Sequence, residues 1–138
     1  MNKFCDKWCS KVLALLRIIM GFLIFWHGTQ KLFDYPPSET VQEELSALLL
    51  IAAVLEFLGG IPLMIGLFTR WTAFILSGMM VVAYCMIFIS KSFLPLIHGG
   101  ELAVLYCFTF FYLFFAGSGS FSIDKYLQQK KKKDIIIQ

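Results

Sequence analysis

The chain reads as an all-α integral membrane protein: a four-helix bundle, antiparallel, up-down-up-down, with both termini on one side. Three observations predict this. Hydrophobic residues make up 59% and charged residues only 15% of 138 residues, and mean hydropathy is +0.76, more apolar than one soluble core of this size can hide. The apolar residues fall into four runs, at about 12–33, 45–68, 71–89 and 101–116, separated by short polar or Gly/Pro-containing segments. The basic residues are distributed unevenly across the two ends of those runs.

Taken in order, residues 1–11 carry Lys3, Lys7 and Lys11 with Phe4 and Trp8 between them, the pattern of a short interfacial helix. The next run is not a cleaved leader, because Arg17 interrupts it and no small-x-small site follows. It is a retained first span. Pro36 and Pro37 end it in an acidic loop. The second span holds Pro62, which predicts a kink or a freed carbonyl. A very short turn at Thr69-Arg70-Trp71 makes the second and third spans antiparallel neighbours. Pro95 and Gly99-Gly100 mark the next loop, and Gly117-Ser118-Gly119-Ser120 closes the fourth span. Ser122 is placed to cap a second interfacial helix over about 121–127, ahead of a basic tail within 125–138.

With both termini cytoplasmic, that side holds Lys3, Lys7, Lys11, Arg17, Arg70, Lys125 and the lysines at 130–133, while Lys31 and Lys91 fall opposite. Positive residues concentrate on the cytoplasmic face of spanning proteins. The lysine run beside a span is a topology signal or a contact for anionic lipid, not a nucleic-acid arm.

The second span carries one acid, Glu56, at its middle. An acid at the centre of a span costs about 2.5 kcal/mol or more, so Glu56 must face protein, a partner charge or water. At 100° per residue, Ala52, Ala53, Gly59, Gly60, Leu63 and Gly66 share its side, and Val54, Leu58, Ile61 and Ile65 lie opposite. Small residues there, with Gly21 and Gly28 on the first span, predict close helix packing.

On the first span Arg17, Gly21, Ile24, Gly28 and Lys31 share a face, with His27 at its flank. If the outer ends of the first two spans are level, Glu56 stands opposite Phe22. Arg17 is then the leading partner for Glu56 and His27 the rival. His98 and Glu101 are expected near His27 and Lys31 at the outer rim, and Asp124 near Arg17 or Arg70 at the inner rim. The plainer alternative is that Arg17, Lys31 and Arg70 snorkel or cap helix ends and that His27 is a packing element. The fourth-span aromatics, Tyr106 among them, read as lipid-facing or core.

Cys5 and Cys9 are one helical turn apart, the wrong spacing for a redox pair. With Cys85 and Cys107 they read as free thiols, Cys5 and Cys9 staying open as a candidate redox sensor, and no metal site is expected. A haem would need both histidines, one of them in a loop. No phosphate-cradling loop or nucleophile elbow is present.

Several stretches together resemble the DoxX family. Leu16-Arg17 through Gly21 and His27-Gly28-Thr29-Gln30-Lys31-Leu32-Phe33 look like its opening motif. Glu56-Phe57-Leu58-Gly59-Gly60, Leu63, Gly66-Leu67 and Thr69-Arg70 look like its second. Gly99-Gly100-Glu101, Leu105-Tyr106, Gly117-Ser118-Gly119 and Ser122-Ile123-Asp124 look like its third. The long lysine tail ending in isoleucines departs from the pattern. The resemblance implies a small four-helix bacterial inner-membrane protein, related to subunits of quinol oxidase or thiosulfate:quinone oxidoreductase complexes and to membrane partners of sulfur-handling and oxidative-stress enzymes.

Three functional expectations follow. The first is a membrane subunit of a quinone-linked oxidoreductase complex. In it Glu56 or His27 accepts protons, Arg17 balances charge, Glu101 connects outwards, and a protein partner supplies the electrons. No redox centre of its own is evident, and whether the chain is itself an enzyme is left open. The second is a non-catalytic scaffold docking a soluble enzyme, with the charged residues purely structural. The third is small-anion or proton transport, which through four spans would need a homo-oligomer.

Overall fold

The computed structural model describes residues 3–37, 47–88 and 100–137, and among these every regular element is helical. Helix α1 is Lys3–Phe33, α2 Ala47–Ile65, α3 Thr69–Ala83, α4 Glu101–Ala116 and α5 Ile123–Ile137; a π-helical turn, Tyr84–Phe88, prolongs α3. Among the described residues three helical stretches are long and apolar enough to cross a membrane: Trp8–Phe33, Ala47–Ile65 and Thr69–Met86. Helix α4 is as apolar but shorter, at 16 residues.

The boundaries correct the sequence expectation in four places. The amino-terminal interfacial helix and the first span are one continuous α1, because nothing between Lys3 and Phe33 breaks a helix. The turn between α2 and α3 comes earlier than Thr69-Arg70-Trp71: Gly66 has φ +72° and Phe68 φ +48°, and Thr69 already opens α3. The third run is α-helical only to Ala83 and π-helical beyond. Helix α5 carries the lysines of the tail as far as Ile137. Ser122 is its cap, as expected, with the Lys125 N–H donating to Ser122 Oγ at 3.2 Å.

The buried face of α2 is Ala53, Glu56, Gly60 and Leu63, whereas Val54, Leu58, Ile61 and Ile65 are exposed, as their helical spacing requires. The α1–α2 contact is the most extensive among the described helices. A Cβ on Gly28 would lie within 3 Å of the Phe57 backbone, so only glycine allows the two helices to approach there. Further along, Gly21 meets Gly60 and Met64, and Phe25 stacks on Phe57 with ring centroids 5.0 Å apart.

These contacts set the register. Glu56 stands level with about Thr29, not Phe22, a slip of seven residues or about 10 Å at 1.5 Å per residue. Arg17 is consequently about 18 Å along α1 from the level of Glu56. The expected Arg17–Glu56 pairing does not occur.

Helix α3 packs on α4 through Ser77, whose hydroxyl donates to the Cys107 carbonyl at 3.0 Å, and through Phe74 against Phe114. Ile24, Leu63, Ala73, Leu76, Phe110 and Leu113 join the four apolar helices in one core.

Candidate functional site

The end of the helix cluster nearest Phe33 collects four polar side chains from α1, α2 and α4. Lys31, near the end of α1, donates from Nζ to Glu56 Oε1 at 2.6 Å. This is the ion pair that sequence reasoning assigned to Arg17. Glu56 is 3% exposed, and its second oxygen, Oε2, is buried with no hydrogen-bond partner among the described residues. A buried carboxylate oxygen without a donor carries a desolvation cost, so the pair is only half satisfied.

Two aromatic groups complete the cluster. Tyr106 on α4 is buried and stacks on Phe110. The His27 ring meets Tyr106 edge-on, with centroids 5.7 Å apart. Glu56 lies within electrostatic range of Tyr106, and Lys31 within range of His27. His27 and Glu56 thus occupy one site but are not directly bonded.

Tyr106 belongs to this cluster, whereas in the sequence it reads only as one of the fourth-span aromatics. The available signal was its place on the stripe Tyr106-Phe110-Leu113, the buried face of α4, where it is the single hydroxyl.

The opposite end of the cluster is a structural knot. Arg17 is fully buried. Its Nη1 donates to the Leu63 and Met64 carbonyls at 2.6 and 2.9 Å, and its Nη2 to the Phe121 carbonyl at 3.0 Å. The guanidinium therefore sits on the negative end of α2 and ties it to the turn before α5. Gly66 is required beside it, since a Cβ there would fall 2.5 Å from Nη1 and its φ is +72°.

Asp124 lies at this same end, within electrostatic range of Arg17 and lining one cleft with Arg70. Its oxygens accept from the Phe68 and Thr69 N–H groups at 2.8 and 2.9 Å, capping α3 rather than binding Arg70 or Arg17 directly. Arg70 is exposed beside Gly117. Arg17 thus acts as a helix-end cap, the plainer of its two readings, and Lys31 does not.

Glu101 is exposed at the start of α4 and makes no ion pair with a described residue. His98, Gly99 and Lys91 lie outside the described residues, as does the side chain of Cys5. Cys9, Cys85 and Cys107 are free thiols. Gly59 faces Leu76 of α3 instead of α1.

The DoxX family model matches residues 12–89, more than half of the chain. This chain belongs to the DoxX family. The matched part holds Arg17, His27, Lys31 and Glu56, whereas Tyr106 and the third motif lie beyond it. An uncharacterized protein of Haemophilus influenzae (strain Rd) is 40% identical over 124 residues, covering 86% of this chain and 92% of its own length. No solved structure matches the chain. Family membership and the apolar helices together make this DoxX-family chain a multi-pass membrane protein in contact with lipid.

Proposed function

We propose that this DoxX-family protein is a small subunit or membrane partner of a quinone-linked oxidoreductase complex, and that the Lys31–Glu56–Tyr106–His27 cluster receives the quinone head group. The supporting observation is Glu56 Oε2, a buried carboxylate oxygen without a donor among the described residues, next to a cation and a phenol. That donor set fits a quinone. The Lys31 ammonium and Tyr106 hydroxyl can donate to its oxygens, and Glu56 Oε2 can hold a proton next to them. A bound quinone supplies two-electron, two-proton exchange. The chain's own residues bind and orient the head group, exclude water through Phe57 and Phe110, and hold a proton at Glu56 Oε2. Lys31 keeps the site's charge balanced. Electrons come from a partner protein.

In this reading α4 is the fourth span of an up-down-up-down bundle, and both termini face the cytoplasm of a bacterial inner membrane. The excess of lysine and arginine on that side supports the orientation.

The test is purification in mild detergent followed by extraction of bound quinone and titration with a short-chain quinone. Wild-type protein should retain or bind quinone, and Glu56→Gln and Lys31→Met should lose it while remaining folded. A wild-type protein that neither carries nor binds quinone would refute the proposal.

A second reading, a scaffold that docks a soluble enzyme, is favoured by α5, a basic helix with Tyr126, Leu127 and Ile135 all exposed. Under it, removing residues 128–138 releases a co-purifying soluble protein, and Glu56→Gln does not.

A further inference from the structure

A separate polar cleft of about 400 Å³ opens where the start of α3, the end of α4 and the start of α5 converge. Arg70 and Lys125 both line it, with Gln128 beside them. Neither cation forms an ion pair with a described residue. Asp124 is the one carboxylate lining the cleft among the described residues, and both its oxygens are already engaged by the Phe68 and Thr69 N–H groups. The cleft therefore presents two basic side chains to whatever enters it, offset in charge by a carboxylate turned to another task.

The rim points to the class of that occupant. Trp71 lines the cleft and is 68% exposed, an amphipathic aromatic of the type enriched at headgroup depth, and Phe68, 66% exposed, lines it as apolar surface. Below Trp71, exposed Phe74 and Ile75 continue along α3, and Phe115 lies exposed on α4. A cationic cleft bordered by an interfacial tryptophan and continued by apolar surface suits a molecule with an anionic head and hydrocarbon chains.

We propose that this cleft is a binding site for an anionic phospholipid, with the phosphate between Arg70 and Lys125 and the acyl chains along the α3–α4 surface. The guanidinium offers paired N–H donors to phosphate oxygens and the ammonium a point charge. The site is remote from Glu56 and independent of any quinone. It differs from diffuse attraction by the lysine tail because it needs two particular residues.

The experiment is native mass spectrometry of the full chain in detergent, titrated with phosphatidylglycerol or with phosphatidylcholine. Arg70→Gln, Lys125→Gln and their combination are compared with a tail control, Lys131→Gln/Lys132→Gln. Thermal unfolding in the same detergent checks folding. Phosphatidylglycerol should bind in preference to phosphatidylcholine. Each cleft substitution should weaken it about fivefold and the pair about thirtyfold, while the tail control stays within about twofold.

Should Arg70→Gln fail to fold, Lys125→Gln, on an exposed helical face, still carries the test. Equal loss in the tail control would overturn the proposal in favour of general basicity. So would unchanged binding in the double variant. Inorganic phosphate that competes fully with phosphatidylglycerol would overturn it in favour of a soluble anion. A co-purified soluble protein that dissociates in the double variant, with lipid binding unchanged, would assign the cleft to that protein instead.

Discussion

Lys31 and Glu56 meet across α1 and α2 with unequal shelter: the lysine side chain keeps 28% of its surface exposed, the glutamate 3%. The base reaches inward to an acid that cannot reach out. Each partner therefore has a different fate when the other is removed.

Lys31→Met leaves the buried carboxylate without its cation and should destabilise the protein by about 3 kcal/mol. Combining it with Glu56→Gln should recover most of that loss, because no unpaired charge remains. Chemical or thermal unfolding in detergent measures both. A double variant as unstable as Lys31→Met alone would contradict the pairing.

Gly28→Ala forces a methyl group into the Phe57 backbone and should cost about 1–3 kcal/mol through separation of α1 from α2. Gly78→Ala meets open space on α3 and should be neutral or stabilise by up to about 1 kcal/mol through helix propensity. The opposite signs, read in one unfolding assay, separate close packing from a general intolerance of side chains at glycine.

Arg17→Lys keeps the charge but cannot hold the Leu63, Met64 and Phe121 carbonyls together with one ammonium at the end of a different stem. The expected cost is about 2–3 kcal/mol. Were Arg17 a partner of Glu56, lysine would substitute well. A stability unchanged within error would therefore count against the carbonyl cage.

Asp124→Asn retains one acceptor for the two N–H groups at the start of α3 and removes the charge that favours that end of the helix. A loss of about 1 kcal/mol is expected. Faster amide exchange at Phe68 and Thr69 should accompany it, and unchanged protection there would show that the cap is dispensable.

Tyr106→Phe tests the proposed head-group site without disturbing the core, since only a hydroxyl is removed from the buried stripe. Quinone affinity should fall about fivefold, the worth of one hydrogen bond, with the unfolding midpoint little changed. An affinity equal to wild type would remove Tyr106 from the site.

Much of this was legible in the chain itself. The apolar runs mark the helices, because helical rise and membrane thickness demand that length. The single acid at the middle of α2 had to face inward, because hydrocarbon offers it no partner, and its neighbours at helical spacing gave the correct buried and exposed sides. Family membership was likewise carried by residues that can be read in order. The partner of Glu56 was not legible. Helical periodicity gives the direction of a side chain about its axis but not the height at which two helices meet, and levelling the helix ends chose the wrong base. Register is decided where backbones touch, at Gly28 against Phe57 and Gly21 against Gly60, and a seven-residue slip exchanges Arg17 for Lys31 without altering which face either occupies. Tyr106 enters the site for the same reason: only the packed helices bring α4 to that height.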